Sequence, residues 1–298
     1  MLPELATGLR EPLLDCARGA LPANVALARA ALAAPDAAAL DDALARAGEA
    51  LRMADRPAEA DRLRRALALW RGVPGAWATL RAVAGAAGCG PSDKAPDQAV
   101  RDWAARFDRA ARISPEAGVA LYSLGRPELL EEATAEIVAY MEARRLLGRD
   151  RIGVEIGCGI GRLLPYLGPR LRAVIAIDVS AGMLAEARRR SRGPDPVLLL
   201  RTSGLDLGAL RHGIADFVYA VDSFPYLVEA GVAAAHLAEA WRVLRPGGAL
   251  LVLNYSYRGD LAADRAELAA AKGFRMIEDG SSPFRHWDGR SFLLERLS

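Results

Sequence analysis

The segment RIGVEIGCGIGRL, residues 151–163, decides the fold of this chain. Residues 152–156 form a short apolar run, which predicts a buried strand. The run leads directly into three alternating glycines, Gly157, Gly159 and Gly161, and then into a predicted helix. Glycine permits tight turns and close approach of the backbone to a ligand. The segment therefore predicts a strand, a binding loop and a helix in succession.

Downstream of this segment, short apolar runs alternate with helical stretches. Apolar strands separated by helices predict parallel strands with crossover helices, and therefore a doubly wound, mostly parallel α/β sheet. The last two predicted strands have no helix between them, so the final one is expected to run antiparallel. The predicted strands are 152–156, 173–178, 197–200, 216–221, 249–256, 274–279 and 291–297, and the predicted helices are 161–167, 182–192, 232–244 and 260–272.

Upstream of the segment, residues from about 3 to 90 are rich in Ala, Leu and Arg, which favour helix. Prolines divide this region into short helices, and Asp36 is placed to cap one of them. Residues 85–97 are rich in Gly, Pro and Ser and predict a linker. Two further helices are predicted over 97–113 and 127–147. We therefore expect an all-α N-terminal domain over 1–92, a linker with lead-in or cap helices over 93–148, and the α/β domain over 149–298.

The composition excludes several classes of protein. Hydrophobic residues make up 52% of the chain and charged residues 26%, which is enough apolar material for a packed core. Lys+Arg number 39 and Asp+Glu 37, so the net charge of +2 predicts neither a nucleic-acid nor a membrane partner. Three separated cysteines, Cys16, Cys89 and Cys158, form no disulfide framework and no metal-ligand pattern. No apolar run approaches the ~18 residues of a membrane span, and a cytoplasmic protein is expected.

Four side chains around the glycine loop narrow the kind of ligand. Glu155 directly precedes the loop, where its carboxylate would repel a pyrophosphate but suits a cationic ligand. Asp178 ends the next strand, the place where a carboxylate binds two ribose hydroxyls. Val179 and Met183 follow it and can sandwich an aromatic base. The loop alone is also compatible with a dinucleotide oxidoreductase, but Glu155 counts against that class.

The motifs EIGCGIGR, AIDVSAGMLAEAR, ADFVYAVDSFPYL and LAEAWRVLRPGGALLVLNY occur in that order. Their order and spacing resemble the successive motifs of class I S-adenosylmethionine-dependent methyltransferases. The resemblance covers about half of the chain and implies a seven-stranded sheet with an antiparallel last strand. The resemblance also implies S-adenosyl-L-methionine as the cofactor and indicates which residues would hold this cofactor.

By this resemblance, the cofactor's methionine part lies along the loop of Gly157, Cys158, Gly159 and Gly161. Glu155 supports its amino group, Asp178 takes the ribose hydroxyls, and Val179 and Met183 flank adenine. Asp222 and Ser223 follow the fourth strand, where the family holds the methionine end. The family often has an acceptor for the adenine amino group after the third strand. Here that segment contains Ser203, Gly204, Leu205 and Asp206, so Ser203, the Leu205 backbone and Asp206 all stay open as the acceptor.

Candidates for the methyl acceptor site follow from the rule that ligands bind beyond the carboxyl ends of parallel strands. His286 is the best placed general base, with an ordinary loop histidine as the alternative, and Tyr255 is a second catalytic candidate. Tyr255 and Tyr257 alternate along a strand end, so only one of them can face the pocket. The predicted substrate-binding residues are Tyr122, Tyr226, Tyr257 and Trp287.

The leading hypothesis is an enzyme that transfers a methyl group to a small-molecule O or N acceptor by in-line displacement. Its helical half would cap the pocket or serve as a homodimer surface. The alternative is a protein- or carrier-directed methyltransferase that uses the helical half for docking. A third hypothesis is a non-catalytic cofactor-binding protein. The segment DSFPYL lacks the Asn/Asp-Pro-Pro-aromatic arrangement typical of base or amide methylation.

Overall fold

The structure is a computed structural model, which describes residue 5 and residues 7–88, 94–191 and 196–298. Contacts divide the chain into two compact units. The first comprises Met1–Gly88, Ala110–Glu136 and Phe284–Asp288, and the second comprises Cys89–Arg109, Ile137–Pro283 and Gly289–Ser298. Cys89 and the domain boundary predicted at residues 92 and 93 lie outside the described residues. The domain limits therefore stay a prediction.

The first unit is helical, as the Ala- and Leu-rich sequence predicts. Asp36 caps the third helix by accepting a hydrogen bond from the Ala39 N–H at 2.8 Å. The apolar stripe of the fourth helix buries Leu63, Ala66 and Trp70. The helices of this unit are α1 (Thr7–Arg18), α2 (Ala23–Ala33), α3 (Ala37–Met53), α4 (Pro57–Arg71), α5 (Ala76–Ala87), α7 (Pro115–Val119) and parts of α6 (Pro96–Ile113) and α8 (Pro127–Ala143).

The second unit contains a seven-stranded sheet in the order β3-β2-β1-β4-β5-β7-β6. Its strands are β1 (Gly148–Ile156), β2 (Leu171–Asp178), β3 (Val197–Arg201), β4 (Ala215–Val221), β5 (Leu244–Leu253), β6 (Phe274–Ser281) and β7 (Ser291–Arg296). Strands β1 to β5 pair in parallel, and β7 runs antiparallel to both β5 and β6. The predicted doubly wound sheet and its antiparallel last strand are confirmed.

The sheet core is apolar because the central strands are covered on both faces. Val154, Val218 and Leu250 are fully buried and belong to one core cluster. The helices of this unit are α9 (Leu164–Leu167), α10 (Ala181–Arg190), α11 (Phe224–Glu229), α12 (Ala233–Val243) and α13 (Leu261–Ala269). The strand order reverses at β1, whose neighbours are β2 and β4, so the ligand crevice is expected beyond their carboxyl ends.

One predicted helix is much shorter than expected. The sequence predicts helix over 161–167, but the structure has a helical turn only at α9. Gly161 has a φ of +70°, a left-handed conformation that a right-handed helix cannot contain. The glycine loop therefore continues through Gly161. Among the described residues, no helix combines the length and the apolar character that a bilayer span requires.

Candidate active site

The glycine loop turns sharply at the carboxyl end of β1. Gly157, Gly159 and Gly161 have φ values of +71°, +54° and +70°, all in the left-handed region that favours glycine. The N–H groups of Gly157 and Cys158 both donate to the Ile177 carbonyl at 2.9 Å. The loop is therefore anchored to β2, the strand that carries Asp178.

Two of these glycines are also required by space. A Cβ at Gly157 would lie 2.5 Å from the Cβ of Ser223, and a Cβ at Gly161 would lie 2.8 Å from Leu164 and 3.0 Å from Ala187. Cys158 is 4% exposed, and burial raises the pKa of its thiol, so it stays neutral and fills space. The loop thus brings backbone, and not side chains, to the crevice.

Asp178 lies against this loop. Its Oδ2 accepts from the Gly159 N–H and its Oδ1 accepts from the Ser180 N–H, both at 2.8 Å. The carboxyl is 8% exposed, and burial raises its pKa, while the two backbone donors act in the opposite direction. The carboxylate is therefore held at the carboxyl ends of β1 and β2, the position from which it can bind ligand hydroxyls.

Glu155 is buried beneath the loop. It is 2% exposed, and the Tyr219 hydroxyl donates to its Oε2 at 3.3 Å from the neighbouring strand β4. Burial raises the pKa of Glu155 to about 8, with Arg162 and Tyr219 acting to lower it. A buried carboxyl with one neutral donor is costly to ionise, and a cationic ligand would favour its charged form.

This burial predicts a pH dependence of stability. The folded pKa of Glu155, about 8, lies above its ordinary value of 4.5, so the folded state binds more protons between these limits. The free energy of unfolding should therefore fall as pH rises through that window. We expect the ligand-free protein to lose roughly 1–3 kcal/mol more than Glu155→Gln between about pH 5 and pH 8, measured by thermal unfolding.

The matched control is Glu131→Gln, which removes an exposed carboxyl and should follow the wild-type curve. Parallel pH curves for the wild type and Glu155→Gln would show that Glu155 is ionised throughout, against this prediction.

Of the predicted adenine residues, Val179, Gly204 and Leu205 lie near one another. Met183 is 1% exposed, and a Cβ on Gly204 would lie 2.3 Å from Val179 Cγ1. Val179 and Leu205 pack against a cluster that includes Val100 of α6. The Ser203 hydroxyl accepts from the Leu205 N–H at 3.3 Å, and Asp206 accepts from the Gly208 N–H at 2.9 Å. The acceptor for the adenine amino group stays open.

Helix α6 also contributes a carboxylate that the sequence does not reveal. Asp108 Oδ1 accepts from the Ser180 hydroxyl at 2.6 Å and from the Gly182 N–H at 2.8 Å. Ser180 itself caps α10 through the Met183 N–H. Asp108 therefore fastens α6 to the turn that carries Asp178 and Val179.

The carboxyl ends of β4 and β5 present a second polar group. Asp222 Oδ1 accepts from the Asn254 amide and from the Tyr257 hydroxyl, each at 2.9 Å. Asp222 and Asn254 have φ values of +60° and +62°, a conformation that is uncommon outside glycine and clusters at functional sites. The Ser223 hydroxyl donates to the Ile156 carbonyl at 2.6 Å, which joins this turn to the glycine loop.

Aromatic rings surround the same turn. The ring of Tyr226 lies 4.6 Å from Trp103 and 4.9 Å from Phe107, in edge-on contact with both. Tyr257 contacts Tyr226 edge-on at 5.8 Å and is 52% exposed. Of the alternating pair at the end of β5, Tyr257 therefore points to Asp222, as a substrate residue would.

Tyr255, predicted as a catalytic candidate, points elsewhere. It is 3% exposed, stacks on Phe224 at 5.6 Å, and hydrogen-bonds Glu267 through its hydroxyl. Its environment is that of a packing residue with a satisfied hydroxyl. A catalytic role for Tyr255 stays a prediction, and the contacts described for its side chain do not support it.

Two predicted substrate residues lie together in the first unit. Tyr122 is 6% exposed and Trp287 is 2% exposed, and their rings stack at 5.9 Å. The amide of Asn24 donates to the carbonyls of Tyr122 and His286 at 3.0 and 2.8 Å. These contacts explain how the segment 284–288 is held, and a substrate role for either ring stays a prediction.

His286 lies between two glutamates of α8. Its Nδ1 is 2.9 Å from Glu136 Oε1, and its Nε2 is 3.3 Å from Glu132 Oε2. Glu136 Oε2 also accepts from the backbone N–H groups of Arg285 and His286 at 2.9 and 3.1 Å. These contacts show that the imidazole fastens its segment to α8.

We expect His286→Ala to lower the free energy of unfolding by about 1–3 kcal/mol, because it removes contacts to two carboxylates. Thermal unfolding measures this, with the exposed His212→Ala as the matched control. An unchanged melting temperature would contradict it. The predicted role as general base has a separate readout, a fall in turnover without a fall in cofactor affinity.

S-adenosylmethionine fits the residues of this crevice. A Cβ at Gly157 or Gly161 would collide with Ser223, Leu164 or Ala187, so the packing of this loop requires glycine. Glu155 and Asp178 place two buried carboxyls beside it, and a ligand with ammonium and sulfonium groups would compensate their charge. This donor set, at the carboxyl edge of a doubly wound sheet, would therefore suit a positively charged nucleoside.

Comparison with known proteins relates part of the sheet unit to methyltransferases, by a family model and by fold. Residues 154–252 match the family model described as Methyltransferase domain. The solved phosphoethanolamine N-methyltransferase 1 of Haemonchus contortus is similar in fold, with a TM-score of 0.52 and 14% identity over 68% of this chain. The chain covers 49% of that protein, so it spans about half of its length. No curated protein matches the sequence.

Other solved methyltransferases are less similar. The N-methyltransferase NodS of Bradyrhizobium japonicum has a TM-score of 0.46 and 16% identity, covering 64% of this chain and 99% of that one. An S-adenosylmethionine-dependent methyltransferase of Aquifex aeolicus has a TM-score of 0.45 and 21% identity, covering 57% and 92%. Residues 154–252 of the sheet unit thus match a methyltransferase domain, and the unit shares the fold of the phosphoethanolamine N-methyltransferase.

Sequence reasoning missed Tyr219, Asn254, Asp108, Trp103 and Phe107. Tyr219 and Asn254 meet Glu155 and Asp222 across strand pairs, and strand register is not visible in one sequence. Val100, Trp103 and Phe107 lie along one face of α6, and this apolar spacing is the signal in the sequence that could have pointed to the helix.

Proposed function

We propose that the chain transfers the methyl group of S-adenosylmethionine to a small-molecule acceptor by in-line displacement. One observation carries the proposal: the buried Asp178 carboxylate bonds the Gly159 N–H and so joins the ends of β1 and β2 around one crevice. The cofactor supplies a methyl group that its positive sulfur has already activated. The protein then has mainly to align the reactants and exclude water, and alignment contributes roughly 7–11 kcal/mol in favourable cases.

In this proposal the cofactor residues of the glycine loop and of the turns after β2 and β3 keep their predicted roles. Glu155 binds the ammonium of the methionine part, the loop 157–161 lies along it, and Asp178 takes the ribose hydroxyls. Val179, Met183 and the 203–205 turn enclose adenine. Tyr226 and Tyr257 line the acceptor side of the crevice. Asp222 and Ser223 lie at the same turn.

Calorimetry with S-adenosylmethionine, S-adenosylhomocysteine and NAD tests the cofactor part of the proposal. We expect both sulfur nucleosides to bind and NAD not to bind, and binding of NAD alone would overturn the proposal. Transfer of tritium-labelled methyl to fractionated metabolites and proteins tests the acceptor part. Label confined to protein would replace the small-molecule acceptor with the protein-directed alternative.

A further inference from the structure

Asp222 is surrounded by groups that suit a cation, in the part of the crevice where the proposed acceptor would meet the methyl group. Its half-buried carboxylate sits at the end of β4, held by Asn254 from β5 and by the Tyr257 hydroxyl. Asn254 is itself fixed, because its Oδ1 accepts from the Arg290 N–H and its own N–H donates to the Arg290 carbonyl. The carboxylate is thus held in one orientation before any ligand binds.

The aromatic rings beside it add a second attraction for positive charge. Tyr226 and Tyr257 are hydrogen-bonded to each other through their hydroxyls, and Tyr257 continues the chain to Asp222. Trp103 and Phe107 hold the ring of Tyr226 in place, and 52% of Tyr257 is exposed. Aromatic faces attract ammonium groups, quaternary ones above all.

Arg258, next to Tyr257, and Arg106, next to Phe107, each make contacts with other groups. Arg258 pairs with Asp264 and Glu267 at 2.8 and 2.6 Å, and Arg106 lies over the Trp103 ring at 4.7 Å. The carboxylate of Asp222 and the two tyrosine rings disfavour carboxylate or phosphate at the reacting end of the acceptor.

Building on the proposed function, we propose that the acceptor is an amine, bound as its ammonium ion by Asp222 and the rings of Tyr226 and Tyr257. Asp222 takes one proton from the ammonium and frees the nitrogen lone pair. That pair forms the N–C bond as the C–S bond of the donor breaks, and the bonding electrons of that bond pass to sulfur. The methylated product gains the donor's positive charge and is held by the same rings.

The choice of an amine rests on acidity as well as charge. An alkylammonium ion with a pKa near that of lysine, about 10.4, is far easier to deprotonate than an aliphatic alcohol. A carboxylate is a weak base, so it takes a proton more readily from the ammonium ion than from the alcohol. The phenol hydroxyls of Tyr226 and Tyr257 give the proton a hydrogen-bonded path toward Asp222.

Direct binding tests this without knowledge of the natural acceptor. The full chain is saturated with S-adenosylhomocysteine and titrated with choline or with its neutral isostere 3,3-dimethylbutan-1-ol. We expect choline to bind at least about 10-fold more tightly, as cation–π and charge contacts together imply. Asp222→Asn should remove most of that preference, and Tyr257→Leu should reduce it, while Tyr257→Phe keeps the ring and loses less.

Asp260→Asn is the matched control, because it removes a carboxylate from the same loop and retains a side chain that can cap α13. It should leave the preference for choline unchanged. Equal binding of choline and its isostere, or no binding of either to the S-adenosylhomocysteine complex, would overturn the amine assignment alone. Failure of S-adenosylhomocysteine itself to bind would overturn the proposed function and the assignment with it.

Discussion

Gly157→Ala is expected to reduce the affinity for S-adenosylhomocysteine by at least about 100-fold and to lower the melting temperature. The new Cβ would lie 2.5 Å from the Cβ of Ser223 and 3.0 Å from its Oγ. It would also sit at a φ of +71°, where an L-residue costs roughly 1–2 kcal/mol. The collision pushes the loop and the Asp222–Ser223 turn apart, and the strain destabilises the loop itself. These two segments are the two sides of the proposed cofactor site.

The two causes can be separated by variants of the same chain. Gly213→Ala places a Cβ at a φ of +60° with nothing within 4 Å, so it should show the backbone strain alone. Ser223→Gly in the Gly157→Ala background removes the collision and should recover part of the lost affinity, judged against Ser223→Gly alone. Calorimetry and thermal unfolding measure both quantities, and wild-type affinity for Gly157→Ala would contradict the assignment of the loop.

Asp178→Ala is expected to weaken binding of S-adenosylmethionine by about 1.5–3 kcal/mol, as for a lost charged hydrogen-bond acceptor. That is roughly a 10- to 150-fold loss of affinity. The structure adds a second reason, since the same carboxylate accepts from the Gly159 and Ser180 N–H groups. Its removal leaves two backbone donors without their partner and loosens the loop.

Asp178→Asn keeps the size of the side chain and one acceptor oxygen, so it should fall between the wild type and Asp178→Ala. Asp150→Ala removes an exposed carboxylate from the amino end of β1 and should leave the affinity unchanged. Calorimetric titration with the cofactor measures all three. If Asp178→Ala bound as the wild type does, the ribose role of Asp178 would be wrong.

The fold was largely predictable because its signals are local. A buried strand, the glycines after it and the carboxylate that ends the next strand all lie within residues 152–178, and the rules for parallel crossovers order the rest. The error at 161–167 also has a local cause. An apolar stretch after a glycine loop resembles a helix, but the left-handed Gly161 delays the helix to Leu164.

The candidate site was predictable only in part. Residues such as Glu155, Asp178 and Gly157 can be recognised in the sequence, because each combines a suitable residue type with a position inside a motif. Tyr255 and Tyr257 show the limit: alternation says that one of them faces inward, but not which. In the structure the Tyr257 hydroxyl bonds Asp222 and the Tyr255 hydroxyl bonds Glu267. The packing of the chain after β5 decides between the two orientations.

The sequence by itself determined the class of fold and the position of the loop that is proposed to hold the cofactor. Neighbouring residues in one strand–loop–strand unit carry that information. Tertiary structure alone decided which side chains meet across strands: Tyr219 with Glu155, and Asn254 and Tyr257 with Asp222. It also placed Asp108 of α6 on the turn after Asp178. These partners are separated by 32 to 74 residues, so only the register of the sheet and the docking of α6 bring them together.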